Sequence, residues 1–153
     1  MAFSFAAAAF KPGGTIPKIF TADGRDVSPS LNWDNPPSGT QAFALVCDDP
    51  DAPAGTWVHW VIWNLPATAR GLNEAVQHIK TLSDGSAQGK NDFGRIGYGG
   101  PSPPPGRPHR YFFRLYALKE KLSLTPGASR GELDRALQSK VLASTEFFGI
   151  YGR

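Results

Sequence analysis

Four side chains carry the chemistry legible in this chain: Asp49, His59, His109 and Tyr111. His109 and Tyr111 stand two residues apart, so on a strand an imidazole and a phenol point the same way. They directly follow Gly97 to Pro108 (GYGGPSPPPGRP), where glycines permit positive φ and close approach to a ligand, while prolines fix φ and remove donors. A loop of that kind is pre-shaped and binds at low entropic cost. Asp49 lies in the turn Cys47 to Pro53 (CDDPDAP) and His59 in the run Trp57 to Trp60 (WVHW). With turn, run and loop side by side, protonatable imidazoles, a phenol donor and backbone N–H groups near Gly99 and Gly100 make a cradle for phosphate, sulfate or carboxylate. Asp49 would hold an imidazole in its donating tautomer, or accept the proton of a monoanionic phosphate ester.

Each residue also has a plainer reading. On a strand, Trp57, His59 and Val61 project to one face, and a lone histidine in such a run is commonly a core residue bonded to a carbonyl. Asp48 to Asp51 is also a solvated acidic turn, Asp-Pro being a common turn starter. An alternative function is a small acid/base enzyme using Asp49, His59 and Tyr111 on an anionic substrate. That alternative lacks a nucleophile: there is no Gly-x-Ser-x-Gly elbow, no phosphate loop, and Cys47 precedes an acidic turn that disfavours its thiolate. A metal site from His59, His109 and Asp49 has ligands but no His-x-x-x-His spacing, so neither metal nor cofactor is expected. Pro103 to Pro105 could be a polyproline ligand, but its flanks belong to the folded loop.

The elements that must position these residues read as strands. Seventeen glycines and fourteen prolines punctuate short apolar runs rich in aromatic and β-branched residues, the pattern of an antiparallel all-β domain. Gln41 to Cys47 and Trp57 to Leu65 are apolar on both parities, as for strands covered on both faces. In His109 to Leu118, Tyr111, Phe113, Leu115 and Ala117 share one face, and Arg110 and Arg114 share a wet one. Ser129 to Glu132 is a capping box, followed by Leu133, Ala136, Leu137 and Val141 at helical spacing. Glu146 to Tyr151 returns as a final strand, with Gly149 marking a bulge or a close approach. Between Pro66 and Pro108 the regular signal is weak, and so long an irregular connection reads as a functional wall. The fold expected is a mainly β, single-domain (1–153), two-sheet antiparallel sandwich with Greek-key-type connections and a helix near the C-terminus.

Bulk properties narrow the class. Sixteen basic against thirteen acidic residues give a net charge of +3 without any basic run, which argues against nucleic acid as a partner. Lys90, Arg95, Arg107 and Arg110 bracket the Gly/Pro loop and could favour anions locally. One cysteine excludes an intrachain disulfide and suits a reducing compartment. The opening MAFSFAAAAF lacks a basic leader and is too short to span a membrane, so it is expected to be a first strand of a cytoplasmic protein without a transmembrane segment.

Taken together, DDPDAP, WVHW and GYGGPSPPPGRPHRY resemble the phosphatidylethanolamine-binding protein family, also called Raf kinase inhibitor-like proteins, in its compact bacterial branch. Ile16-Pro17, Ser28 to Trp33 and Phe148 to Arg153 extend the resemblance along the chain. It implies a single domain of that family's type with a small surface pocket formed by Asp49, His59, His109 and Tyr111. It adds Ala52, Pro53, Gly100 and Pro101 as the remaining wall and Trp57 as a side. It also implies unusual X-Pro geometry, with cis bonds at Pro50 and Pro53, and a non-enzymatic module that binds a phosphoryl-type or other anionic group and inhibits a protein kinase or protease. A homodimer is compatible with it. Two departures bear on the rim and its selectivity: Ser102 stands where many bacterial relatives have cysteine, and Gly106 to His109 is a shorter span.

Overall fold

The computed structural model describes all residues, Met1–Arg153. Strands β1 (Ser4–Ala7), β2 (Leu31–Asp34), β3 (Ala42–Asp49), β4 (Trp57–Pro66), β5 (Gly71–Leu72), β6 (Ala87–Gln88), β7 (His109–Leu118) and β8 (Val141–Tyr151) are joined by one helix, α1 (Arg130–Leu137). They form two antiparallel sheets, a small one ordered β1-β2-β5 and a large one ordered β6-β4-β3-β7-β8. Along the chain, β3, β4 and β6 are followed by β7, which returns beside β3. That return is a Greek-key connection.

All of β3 is buried, because it is central in the large sheet and covered on both faces. Phe43, Leu45 and Cys47 join Trp60, Ile62, Phe113 and Leu115 in a core shared with Phe5, Leu31 and Trp33 of the small sheet. Ala42, Ala44 and Val46 face the other way, where they meet Val61, Trp63 and the helix residues Leu133 and Leu137. The small side chains on that face leave room for α1. Each large side chain removed from water in these layers contributes about 1.5–3 kcal/mol, and truncating one such as Phe43 costs about 3–5 kcal/mol.

Helix α1 begins as expected: Ser129 accepts from the Glu132 backbone N–H, and Glu132 accepts from the Ser129 N–H. Its end corrects the helical reading of Val141. Ser139 takes a φ of 65°, the chain reverses, and Val141 is the first residue of β8, five positions before the expected start at Glu146. Gly149 marks a close approach, since a Cβ there would sit 2.6 Å from side-chain carbons of Ile16 and Phe10.

The β3–β4 ladder carries the feature that matters most for the site. Cys47 pairs with Trp60 and Asp48 with Val58, so His59 is one residue too many on its strand. This bulge breaks the alternation of side chains. It overturns the expectation that Trp57, His59 and Val61 share a face: Val61 lies in the helix-side core, whereas His59 and Trp60 both point to the opposite side.

The segment from Pro66 to Pro108 holds only the two-residue strands β5 and β6 and isolated bridges. Buried amides hold it in place of ladders. Gln88 accepts from Trp60 Nε1 and donates to the carbonyls of Gln77 and Ile79. Asn91 donates to the Gly97 carbonyl and accepts from the N–H groups of Phe93 and Arg95.

Candidate functional site

Where β3 ends, β4 begins and β7 begins, a surface cavity of about 220 Å³ opens. Its lining includes Asp49, Ala52, Pro53, Trp57, His59, His109 and Tyr111. The antiparallel pairing brings these residues together, since Asp49 lies opposite Trp57 and next to β7. Gly100 and Pro101 are not in the wall. The Gly100 N–H donates to Asp26 Oδ1 at 2.7 Å, and the Pro101 carbonyl accepts from Ala22 at 2.9 Å, so this part of the loop is tied to the turn beneath it. The Gly99 N–H donates to the His59 carbonyl. Neither glycine N–H is therefore available to a ligand, a correction to the expected cradle.

The loop contributes instead through Ser102, Pro103 and Pro104, and Phe93 supplies a wall that the sequence did not single out. Phe93 meets Trp57 edge-on at 5.5 Å and His59 at 5.4 Å between ring centroids. The Asx turn that presents it, Asn91 accepting from the Phe93 N–H, is the local signal that could have found it.

Hydrogen bonds fix the role of each polar atom. His59 Nδ1 lies 2.6 Å from the Gly99 carbonyl oxygen, which only accepts, so Nδ1 carries the hydrogen and Nε2 is left without a protein partner. Burial lowers the basicity of this imidazole, against the opposing pull of the Gly99 carbonyl and of Asp49, Asp92 and Asp26. His109 donates from Nδ1 to Asp49 Oδ2 at 2.6 Å, which again leaves Nε2 free. Asp49 Oδ1 accepts from the Asp51 N–H at 2.8 Å. That Asx turn passes over Pro50 with a trans bond, and no peptide bond in the chain is cis, so the expected cis prolines are absent. The Tyr111 ring stands 5.2 Å from His59 and 6.4 Å from His109. Its hydroxyl is buried and has no hydrogen-bond partner, and burial raises its pKa.

The turn bearing Asp49 is pinned to β7. Asp51 accepts from Arg110 three times, through the backbone N, Nε and Nη2, each at 2.9 Å. This contact with Arg110 lowers the Asp51 pKa to about 2. A shallower cleft of about 540 Å³ adjoins the cavity across His109 and Pro104, and there Arg107 has no carboxylate partner. No cluster of three histidine, cysteine or acidic side chains has a metal-holding arrangement. No helix is long and apolar enough to cross a membrane.

The sequence profile of the phosphatidylethanolamine-binding protein family matches residues 6–152. A UPF0098 protein of Methanothermobacter thermautotrophicus is 50% identical over 145 residues, covering 95% of both chains. A UPF0098 protein of Aquifex aeolicus is 49% identical over 146 residues, 94% of this chain and 85% of that one. Among solved structures, YbcL of Escherichia coli, described as a new member of the mammalian family, superimposes with a TM-score of 0.92 at 35% identity, over 99% of this chain and 98% of that one. With β3, β4 and β7 arranged as described and the family profile spanning nearly every residue, the chain belongs to the phosphatidylethanolamine-binding protein family.

Proposed function

We propose that the chain is a non-enzymatic binding module whose cavity takes a small phosphoryl-type or other anionic group. The observation that carries this reading is the Tyr111 hydroxyl, buried without a partner beside two imidazoles whose Nε2 atoms are also free of protein contacts. A buried polar group left unpaired is costly, and a ligand oxygen would satisfy it. The uncompensated Arg107 at the adjoining cleft adds a favourable field for an approaching anion. Against an acid/base enzyme stands the one thiol, Cys47, which lies in the intersheet core with its pKa pushed up by burial. Inhibition of a protein kinase or protease, which the family resemblance brings, belongs to the same reading as its downstream part.

Thermal melting with inorganic phosphate tests it. A site of millimolar affinity at a hundredfold excess of ligand adds about 2.7 kcal/mol, which is about 5–10 °C for a chain of this size. His59→Ala and His109→Ala are expected to abolish the shift. Arg114→Ala, on the opposite face of β7, is expected to keep it. Equal loss in all three would reduce the effect to nonspecific salt.

A further inference from the structure

The hydrogen-bond roles in the cavity are unbalanced. At the buried end, with both rings neutral, the walls offer a ligand one side-chain donor, the Tyr111 hydroxyl, against the lone pairs of His59 Nε2, His109 Nε2 and the Asp49 carboxylate, while the Ser102 hydroxyl and the Trp57 indole N–H belong to the less buried rim. No lysine or arginine is among the lining residues, and the N–H groups of Gly99 and Gly100 are engaged elsewhere. Asp49 is 3% exposed, so water does little to screen its charge from a bound anion. An oxyanion with no hydrogen of its own, seated at that buried end, would meet more acceptors than donors.

Resting on the binding reading above, we propose that the buried end of the cavity admits an oxyanion only together with a proton. It therefore selects oxyacids that keep a hydroxyl, of the hydrogen-phosphate type, over oxyanions that have none, of the sulfate type. The ligand hydroxyl donates to the carboxylate or to a ring lone pair, while another ligand oxygen accepts from Tyr111. Sulfate can enter only if an imidazole takes a proton from solvent and turns its Nε2 into a donor. For His59 that step is opposed by burial and favoured by the carboxylates facing it, Asp49 from β3 and Asp92 and Asp26 from the flanking loops; Tyr111 and His109 face it from β7.

Isothermal titration calorimetry of the full chain with inorganic phosphate and with sulfate, near pH 8, tests the proposal. Both probes are then tetrahedral dianions of similar size, and only phosphate carries a hydroxyl. A hydrogen bond to a charged group predicts that phosphate binds roughly ten- to a hundredfold more tightly. Repeating the titrations in buffers of different ionisation enthalpy counts protons: sulfate is expected to take up about one more than phosphate, and its affinity to fall about tenfold per pH unit. In Asp49→Asn the amide can donate, and the preference should collapse through a gain for sulfate. Equal affinities with equal proton uptake in the unaltered chain would overturn the proposal while leaving the anion site standing, and this comparison needs no variant to fold. Binding of neither probe, with tetramethylammonium raising the melting temperature instead, would overturn the anion reading and this proposal together.

Discussion

Asp48 and Asp49 are neighbours on β3 and almost equally buried, at 2% and 3% exposure, yet they end in opposite situations. Asp48 faces the helix side. It accepts from Arg114 through Nε and Nη2, at 3.1 and 3.0 Å, and from Arg130 of α1 at 2.9 Å. Asp49 faces the cavity and accepts from a backbone N–H and from one imidazole. The guanidinium charges around Asp48 are permanent, so that group is a fixed lock between sheet and helix. Asp49 has no guanidinium partner, only a backbone N–H and one imidazole, so the same side chain one residue later is not locked. Partner chemistry, more than burial, separates the carboxylate of the lock from the carboxylate of the cavity.

The largest expected effect comes from breaking the lock. Asp48→Ala removes the buried carboxylate that joins Arg114 to Arg130 and leaves each guanidinium only its more exposed partner, Glu146 or Asp134. Losing hydrogen bonds to a charged group should cost about 2–3 kcal/mol, or roughly 4–12 °C in melting temperature. The phosphate-induced shift should persist in the folded protein. Should the ligand-free Asp49→Ala protein melt lower than Asp48→Ala, the division of roles between the two aspartates would fail.

Tyr111→Phe sharpens the contrast from the other side. Removing a buried, unpaired hydroxyl should leave stability unchanged or raise it by about 1 kcal/mol, while phosphate affinity drops roughly tenfold. Melting and calorimetry on the same sample check both halves. A clear loss of stability would mean that the hydroxyl is satisfied in the free protein.

A smaller effect follows from His59. Burial holds its native pKa below the ordinary 6.5, so as pH falls through that value the unfolded chain binds more protons than the native one. Its contribution to stability is therefore complete above about pH 6.5 and erodes as pH falls below it. The denaturant midpoint should slope upward with pH across that range, and His59→Gln should flatten the slope. An unchanged slope would place the linked proton elsewhere.

The smallest effect belongs to Asp51. Its native pKa of about 2 lies below the ordinary 3.8, so its stabilising contact with Arg110 is full above the ordinary value and lost as pH falls through the native one. Because the pair is largely exposed, the change should be local, visible as loss of slowed exchange at Arg110 Nε–H with little movement of the global melt.

Much of this was legible in the chain. Two-sided apolarity marked β3 and β4 as central strands, and the spacing of Tyr111, Phe113, Leu115 and Ala117 matches the face of β7 that enters the core. The capping box at Ser129 located α1. What stayed hidden depended on long-range geometry. Local sequence carries no sign that one extra residue would be inserted opposite Cys47 and Asp48, so the parity of Val61 was misread. The family resemblance puts Gly100 and Pro101 in the wall, and the Gly/Pro loop puts the Gly99 and Gly100 N–H groups in the cradle, but the close approach is to Phe20 and Thr21, where a Cβ on Gly100 would collide with backbone. Val141 fits a helical stripe until Ser139 reverses the chain. Phe93 was lost in an irregular segment whose anchors are amides, which have no periodicity to read.

The extra residue at His59 also bears on how such a pocket can arise or vanish. Deleting one residue between Val58 and Trp60 would restore the two-residue repeat at this end of β4 while leaving the strand's composition almost unchanged. No single substitution on the strand does this. Shortening the chain there by one codon should leave a closed sandwich with its cores intact and no imidazole from β4 in the cavity, so a change of register, as well as a point change, is a step by which this scaffold would gain or lose its site.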